Sequence, residues 1–394
     1  MQAQCGRNED NVRSDCSISL SENGSNKNTV EIESKVSALY GRQLHEQIGQ
    51  LLTGFGLKGI TVHLKDAGAL PFVIAARFET ALKRLRPDVT TEYIPAWQKV
   101  GPIRGTEKSR PRRTRLYLPG NEPKYFVNAG LHRPDAIILD LEDSVAPAEK
   151  DAARLLTRNA LRAVHFYTAE RMVRINQLPL GLHDLNCILP HRVSVILLPK
   201  TESAEQVQNV AEVIQRTASL LKTSFPTYLM PIIESATGVL HAEEIANASP
   251  LVCALAIGLE DYTADMGIKK TEAGFESFWA RSAVAHAAHA AGVQAIDSVY
   301  GDVQNMEGLL LSVKEAKALG FEGKGVIHPR QIPIVHKGFA PEQAEIDKAK
   351  AIYYAYQDAL SRGQGVVSIG SKMIDPPVVK RAIRLIEQLA ATEG

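Results

Sequence analysis

The sequence predicts a (β/α)8 barrel with a small α+β domain before it and a helical lid after it. Eight short apolar runs alternate with amphipathic stretches over roughly 225 residues, the signature of parallel strands that close on themselves. Nearly every run is followed by ionisable side chains, as expected where the C-terminal ends of strands open onto a site. Composition shifts once, near residues 87–113, from aliphatic to Pro- and Arg-rich. The predicted divisions are an α+β domain at 1–87, a linker at 88–111, the barrel at 112–338 and a helical extension at 339–394.

Taken in order, segments near 15–20, 28–34 and 59–65 read as strands, since TVEIES and ITVHLK alternate in polarity. Between them Val36, Leu39, Leu44, Ile48, Leu51 and Leu52 recur at helical spacing, with Gly54 and Gly56 ending the helix. PFVIAARFETALKRL reads as a strand passing into a helix. The linker holds five cations between Lys108 and Arg115, either a solvated stretch or the edge of a phosphate-binding surface. The eight runs are RLYL (115–118), AIILDL (136–141), MVRI (172–175), SVILLP (194–199), YLMPII (228–233), ALAIGL (254–259), VQAI (293–296) and GKGVI (323–327). An open doubly wound sheet is the alternative, but no Gly-x-Gly-x-x-Gly follows the first run.

Composition narrows the function classes. The 394 residues are 45% hydrophobic and 23% charged, with 45 Lys and Arg against 44 Asp and Glu. A net charge of +1 offers no global pull toward nucleic acid or an anionic membrane. Cys5, Cys16, Cys187 and Cys253 are scattered, so neither a zinc ribbon nor a disulfide framework is expected. The opening MQAQCGRNED is polar and no run reaches the ~20 apolar residues a bilayer requires, so a cytoplasmic protein is expected.

The residues after the runs define the candidate site. Glu142 and Asp143 follow the second, Arg174 and Asn176 close the third, and Lys200 and Glu202 follow the fourth. Glu234, then Glu260 and Asp261, then Asp297, then His328 follow the remaining four. So many carboxylates repel unless a cation intervenes. Magnesium fits, because it takes oxygen ligands, keeps several waters and needs only one or two carboxylates. Glu234 and Asp261 are the expected ligands; no His/Cys cluster supports zinc. Arg174, with its planar fork, suits a substrate carboxylate. Lys200 fits an ion pair with a nearby acid, or less simply a Schiff base. Arg112, Arg113, Arg115 and Lys124 lie near the end of the first run, and His328 ends the eighth. In the tail, GQGVVSIGSKMIDPP reads as a glycine-bearing loop before a helix, with Asp375 at the helix entrance.

These motifs carry a resemblance. RRTRLYLPGNEPKYF, DAIILDLEDSVAPAEKDAAR, MVRINQLP, LLPKTES, PIIESATGV, AIGLEDYTADMG, GVIHPRQI and GSKMIDPPVVKRA resemble the citrate lyase beta-subunit family, within the HpcH/HpaI group of magnesium-dependent aldolases and acyl-CoA lyases. The leader segments VRSDCSISL, VEIESKV, YGRQLHEQI and DAGALPFVIAARFETAL resemble the citrate lyase acyl carrier protein, the gamma subunit. The resemblance implies a (β/α)8 carbon–carbon lyase, commonly trimeric or hexameric, with Mg2+ on Glu234 and Asp261. It implies Arg174 on the keto-acid part of the substrate, Glu142 and Asp143 beside the metal, and Asp375 as general acid/base in a neighbouring subunit's site. The implied reaction splits a 3-hydroxy-acyl thioester, citryl on coenzyme A or on a phosphoribosyl-dephospho-CoA arm, into an acetyl thioester and the 2-oxo acid oxaloacetate. A citrate lyase alpha subunit is the implied partner, and Arg112, Arg113, Arg115 and Lys124 become candidates to meet coenzyme A phosphates, with His328 lining the same entrance. The carrier family attaches its arm to the first serine of a Ser-Ser-Asp triplet; here Arg13-Ser14-Asp15 stands instead, so Ser14 is a doubtful attachment point and docking is the favoured role of the leader. Citramalyl-CoA or malyl-CoA cleavage, a thioesterase, and a non-catalytic docking subunit are the alternatives.

Overall fold

In the computed structural model, which describes residues 1–7, 9, 11–362, 367–369 and 372–393, the leader folds as a four-stranded sheet backed by two helices. The strands are β1 (Gln2–Gly6), β2 (Cys16–Glu22), β3 (Thr29–Ser34) and β4 (Ile60–Asp66), in the order β1-β2-β4-β3. β3 and β4 run parallel through the crossover helix α1 (Ser37–Gly54). Ile18, Leu20, Val62 and Leu64 on one sheet face pack against Ile48 and Leu51 of α1 and Phe78 and Leu82 of α2 (Pro71–Leu85).

Two leader elements differ from the sequence reading. β1 is a mostly polar edge strand whose QAQCG gives little alternation to detect. The segment PFVIAARFETALKRL is helix throughout, starting with Pro71 in its first turn, where the missing N–H costs nothing. Its opening run PFVIAA is unbroken because the helix is buried on almost every side, so no polar residue interrupts those positions to set them apart from a strand.

The barrel strands are β5 (Thr114–Pro119), β6 (Ala136–Asp140), β7 (Glu170–Arg174), β8 (Val195–Leu198), β9 (Tyr228–Ile233), β10 (Ala254–Ile257), β11 (Gln294–Asp297) and β12 (Gly323–Val326). All eight pair in parallel, and β12 closes the ring on β5 through the pairs Lys324–Thr114 and Gly325–Arg115. Closure needs glycine at 323, where a Cβ would lie 2.0 Å from the Arg112 carbonyl oxygen. Ile138, Met172, Leu197, Met230, Ile232 and Ile296 fill the interior. The alternation that points them inward also aims the last residues of β6 and β7, Asp140 and Arg174, into the mouth.

The leader is fastened to the barrel by buried charge. α2 lies along α3 (Lys150–Ala163), the helix after β6. Between them Arg158 meets Glu79 at 2.7 Å, both side chains fully buried, and Asn159 Nδ2 donates to the Phe72 carbonyl. Arg84 pairs with Asp151 at 2.6 Å. Arg77, equally buried, grips Asp15 and donates to the Asn121 carbonyl in the loop after β5.

The linker cations serve the fold, which overturns the phosphate-surface reading. Arg112 is buried against Glu170 at 2.7 Å, and Arg113 meets Asp135 at 3.0 Å. Lys108 donates to the Pro250 carbonyl and Arg110 to that of Thr168. Arg115 likewise cannot meet coenzyme A phosphates, because it is 2% exposed and donates to the Met230 sulfur.

Residues Phe339–Gly394 form a second compact unit. Helices Gln343–Ser361 and Pro376–Glu393 share a core of Ala349, Ile352, Ala359, Val379 and Ala382 and flank a hairpin of β13 (Val367–Ile369) and β14 (Lys372–Ile374). Of the glycine-bearing loop, residues 363–366, 370 and 371 lie outside the described residues. Among the described residues no helix is long and apolar enough to cross a membrane.

Candidate active site

Four strand ends and one short helix bring the predicted acids together. Arg174 is the hub. Its Nε and one terminal nitrogen hold both oxygens of Asp140, at 2.6 and 2.7 Å. Its other terminal nitrogen lies 2.9 Å from Glu142 and 3.3 Å from Asp143. The fork expected to grip substrate is thus engaged by Asp140, and only the second terminal nitrogen faces the mouth. The Tyr117 ring lies beneath the guanidinium, 5.5 Å from its carbon.

Lys200, just past β8, links the two sides of the cluster. Its backbone N–H donates to Glu234 Oε2 at 3.0 Å. Its ammonium is 3.7 Å from Glu142, 3.7 Å from Asp261 and 4.0 Å from Asp143. Glu234 follows β9; Asp261 lies in the first turn of the helix Leu259–Asp265 after β10. Glu234 and Asp261 therefore face the same lysine across one mouth. Lys200 is an ion-pair partner here, as one of its two sequence readings had it.

The electrostatics favour an added cation. Asp140, Glu142, Asp143, Glu234 and Asp261 face Arg174 and Lys200, with Lys150 behind them on the Leu141 and Glu142 carbonyls. Burial, reinforced by the negative charge of Glu142 and Asp261, pushes the Glu234 carboxyl up to about 8 although Arg174 pulls the other way. Burial also raises Glu142. Asp140 resists its burial, because the Arg174 hydrogen bonds hold it below the ordinary carboxylate range. Gly258 leaves room for the Glu234 carboxylate: a Cβ there would lie 2.6 Å from Oε1. Among the described residues no group of three or more His, Cys, Asp or Glu side chains is arranged to hold a metal ion. The donors at the mouth are carboxylate oxygens, the chemistry of a hard cation such as magnesium, which uses one or two carboxylates and water.

The other predicted residues are placed as follows. Asp297 is fully buried between Arg281 at 3.1 Å and Lys324 at 2.5 Å and does not join the cluster, because its parity on β11 turns it outward. Lys124 is exposed in the loop after β5, paired with Glu122. His328 follows β12, half-buried, its Nδ1 accepting from the Arg330 N–H. Ser14 is half-buried at φ 57° beside the Asp15–Arg77 pair. Asp375 lies in the second unit, exposed, its carbonyl accepting from the Val378 and Val379 N–H groups at the helix start. Asp140 and Tyr117 were missed because they end or interrupt apolar runs; inward parity on their strands was the available signal.

Residues 113–329, more than half of the chain, match the family described as HpcH/HpaI aldolase/citrate lyase. The chain belongs to the HpcH/HpaI aldolase/citrate lyase family. It is an enzyme of the carbon–carbon lyase class. Within this family it is 40% identical to the citrate lyase subunit beta of Haemophilus influenzae over 280 residues, 70% of this chain and 96% of that protein. It is 34% identical to the mitochondrial citramalyl-CoA lyase of Mus musculus, covering 79% of this chain and 94% of that one. Among solved members, the Mycobacterium tuberculosis protein CitE in complex with magnesium, acetoacetate and coenzyme A aligns with a TM-score of 0.57 at 31% identity, over 70% of this chain and 97% of that one. Residues 2–85 match a second family, the malonate decarboxylase delta subunit, so the leader is acyl-carrier-like.

Proposed function

We propose that this chain cleaves a citryl thioester into an acetyl thioester and oxaloacetate with a bound magnesium ion. The observation that carries the reading is the surplus of carboxylate at the mouth, centred on Glu234, which burial and its acidic neighbours keep from ionising unaided. Glu234 and Asp261 would hold the ion, with water and substrate oxygens completing its sphere. When bound, the ion supplies Lewis-acid polarisation of the oxygens that become the 2-oxo acid.

The chain's own residues do the rest. Asp140 fixes the guanidinium plane of Arg174, whose remaining nitrogen orients the carboxylate of the departing oxo acid. Glu142, with Asp143 beside it, takes the proton of the substrate hydroxyl. As that O–H electron pair becomes the new C=O bond, the C–C pair passes to the thioester enolate. Asp375, contributed by a neighbouring copy in a homo-oligomer, delivers the proton to the enolate carbon. Asp375→Asn should then abolish cleavage while leaving magnesium affinity unchanged, read by calorimetry; loss of metal binding would contradict the role.

The thioester is placed on free coenzyme A, with Lys124 and His328 beside adjacent strands as contacts for its phosphates. Two features support this over an arm on Ser14: the missing first serine of the triplet, and the buried pairs that fasten the leader. The mass of the purified protein should equal that of the unmodified chain; an added dephospho-CoA derivative would overturn this. A second reading, citramalyl-CoA cleavage, is favoured by the mouse relative. Assays of oxaloacetate released from citryl-CoA and pyruvate released from citramalyl-CoA separate the two.

Magnesium binding should depend on pH with a definite sign. Below about 8 the metal-free Glu234 carries a proton that the cation must displace. Affinity should therefore rise with pH and level off above that value. Titrations at pH 7 in buffers of different ionisation enthalpy should report proton release, and Glu234→Gln should abolish it.

A further inference from the structure

One residue touches both of the carboxylates assigned to the ion. Lys200, just past β8, has φ 47°, a left-handed backbone that a residue with a side chain adopts uncommonly. Such outliers cluster at functional sites. Here the conformation serves two ends at once. The backbone N–H donates to Glu234 Oε2 at 3.0 Å, while the ammonium lies 3.7 Å from Asp261.

The ammonium closes on no single acid. It is 3.7 Å from Glu142 and 4.0 Å from Asp143 as well, beyond hydrogen-bond length of all three carboxylates. It therefore acts as a shared point charge on a flexible stem. Arg174 serves Asp140, Glu142 and Asp143, but among the described residues Lys200 is the one cation within ion-pair distance of Asp261. The Lys200 side chain is 36% exposed, so its stem is free to carry the charge from the acids into the open mouth.

These contacts set two cations against one carboxylate. An ion held by Glu234 and Asp261 takes the acid that the ammonium balances, and like charges at one carboxylate repel. The conflict ends when the ammonium turns to an anion. The carboxylate of the oxo acid that Arg174 orients enters the same mouth and supplies it.

We infer that Lys200 couples magnesium to the anionic substrate: its ammonium opposes the ion alone and favours the ion together with the oxo-acid carboxylate. This rests on the reading that Glu234 and Asp261 hold magnesium. By linkage the coupling is reciprocal, so the oxo acid gains as much from the ion as the ion gains from the oxo acid.

The test is a calorimetric titration of the full chain with magnesium, alone and in saturating oxaloacetate at matched free magnesium. Without oxaloacetate, Lys200→Met should bind magnesium at least ~10-fold more tightly than wild type, a gain of about 1.4 kcal/mol. The factor by which oxaloacetate tightens magnesium should shrink at least ~10-fold in the same variant. Damage to a site weakens binding, so a gain in affinity separates this role from a structural one. Lys200→Arg keeps the charge and should match wild type in both measurements. Lys222→Met is the control, because Lys222 is exposed just past the helix Ala204–Leu220 and has φ 49°; the variant loses the same charge from the same kind of backbone. It should leave magnesium affinity unchanged. Equal or weaker magnesium binding in Lys200→Met overturns the coupling and leaves the ligand assignment standing. An equal gain in Lys222→Met overturns it by reducing the effect to net charge. Tighter magnesium with an undiminished effect of oxaloacetate also overturns it, since the ammonium then meets no substrate anion. Magnesium binding that survives in Glu234→Gln, or that is absent from wild type and Lys200→Met alike, overturns the ligand assignment and the coupling together.

Discussion

Glu234→Gln should lose at least ~10²–10³-fold in cleavage rate and lose its response to magnesium while remaining folded. The magnitude is that of removing one well-placed electrostatic group from a water-poor site. The fold should survive because the substitution is isosteric, and its amide oxygen can still accept the Lys200 backbone N–H. Stability should separate the variant from a simple unfolding mutant. A carboxyl whose value is raised in the folded state contributes most while protonated, so wild type loses that increment as pH climbs from the ordinary carboxylate range through about 8. The glutamine variant has no proton to lose. Without metal, its melting temperature should therefore exceed that of wild type at pH 9 and approach it at pH 5. Full magnesium-stimulated turnover in Glu234→Gln would remove the basis for the metal assignment.

The barrel was legible because each of its strands is buried on both faces and short, so each stands out as an apolar run with a polar boundary. The acids beyond those boundaries were legible for the same reason: Glu142, Asp143, Glu234 and Asp261 follow runs and converge. What failed was inference that ignored side-chain parity. Asp297 ends a strand as Glu234 nearly does, but it points outward and meets Arg281. Arg115 sits in a cationic stretch, but it points inward to Met230. Asp140, which holds Arg174 in place, was hidden inside the run AIILDL. The helix α2 was hidden by a different cause. Its second neighbour, α3, belongs to the barrel, and no local pattern in residues 71–85 reveals that a distant helix covers its outer face.

That shared face gives the largest expected effect on stability. Glu79→Ala should destabilise the chain by about 3–5 kcal/mol, the cost of stripping one partner from a fully buried ion pair. Glu79 accepts from Arg158 at 2.7 and 3.1 Å, from Lys83 at 2.8 Å and from the Tyr93 N–H at 3.1 Å. Glu92, half-exposed and 3.2 Å from Arg158, compensates in part, so the loss should fall toward the lower bound. Burial alone would raise the Glu79 carboxyl, but the Arg158 hydrogen bonds outweigh it and hold it below its ordinary value. Its contribution is thus present above the ordinary glutamate range and is lost as pH falls through the lowered value. The double variant Glu79→Leu with Arg158→Met should regain most of the lost stability, because two apolar side chains remove both desolvated charges together. Denaturant unfolding of the single and double variants measures this coupling directly. A leader that moved as a free carrier would leave Glu79 and Arg158 in water for much of the time, and Glu79→Ala would then cost less than about 1 kcal/mol, the scale of an exposed pair. That result would reopen the carrier role of Ser14.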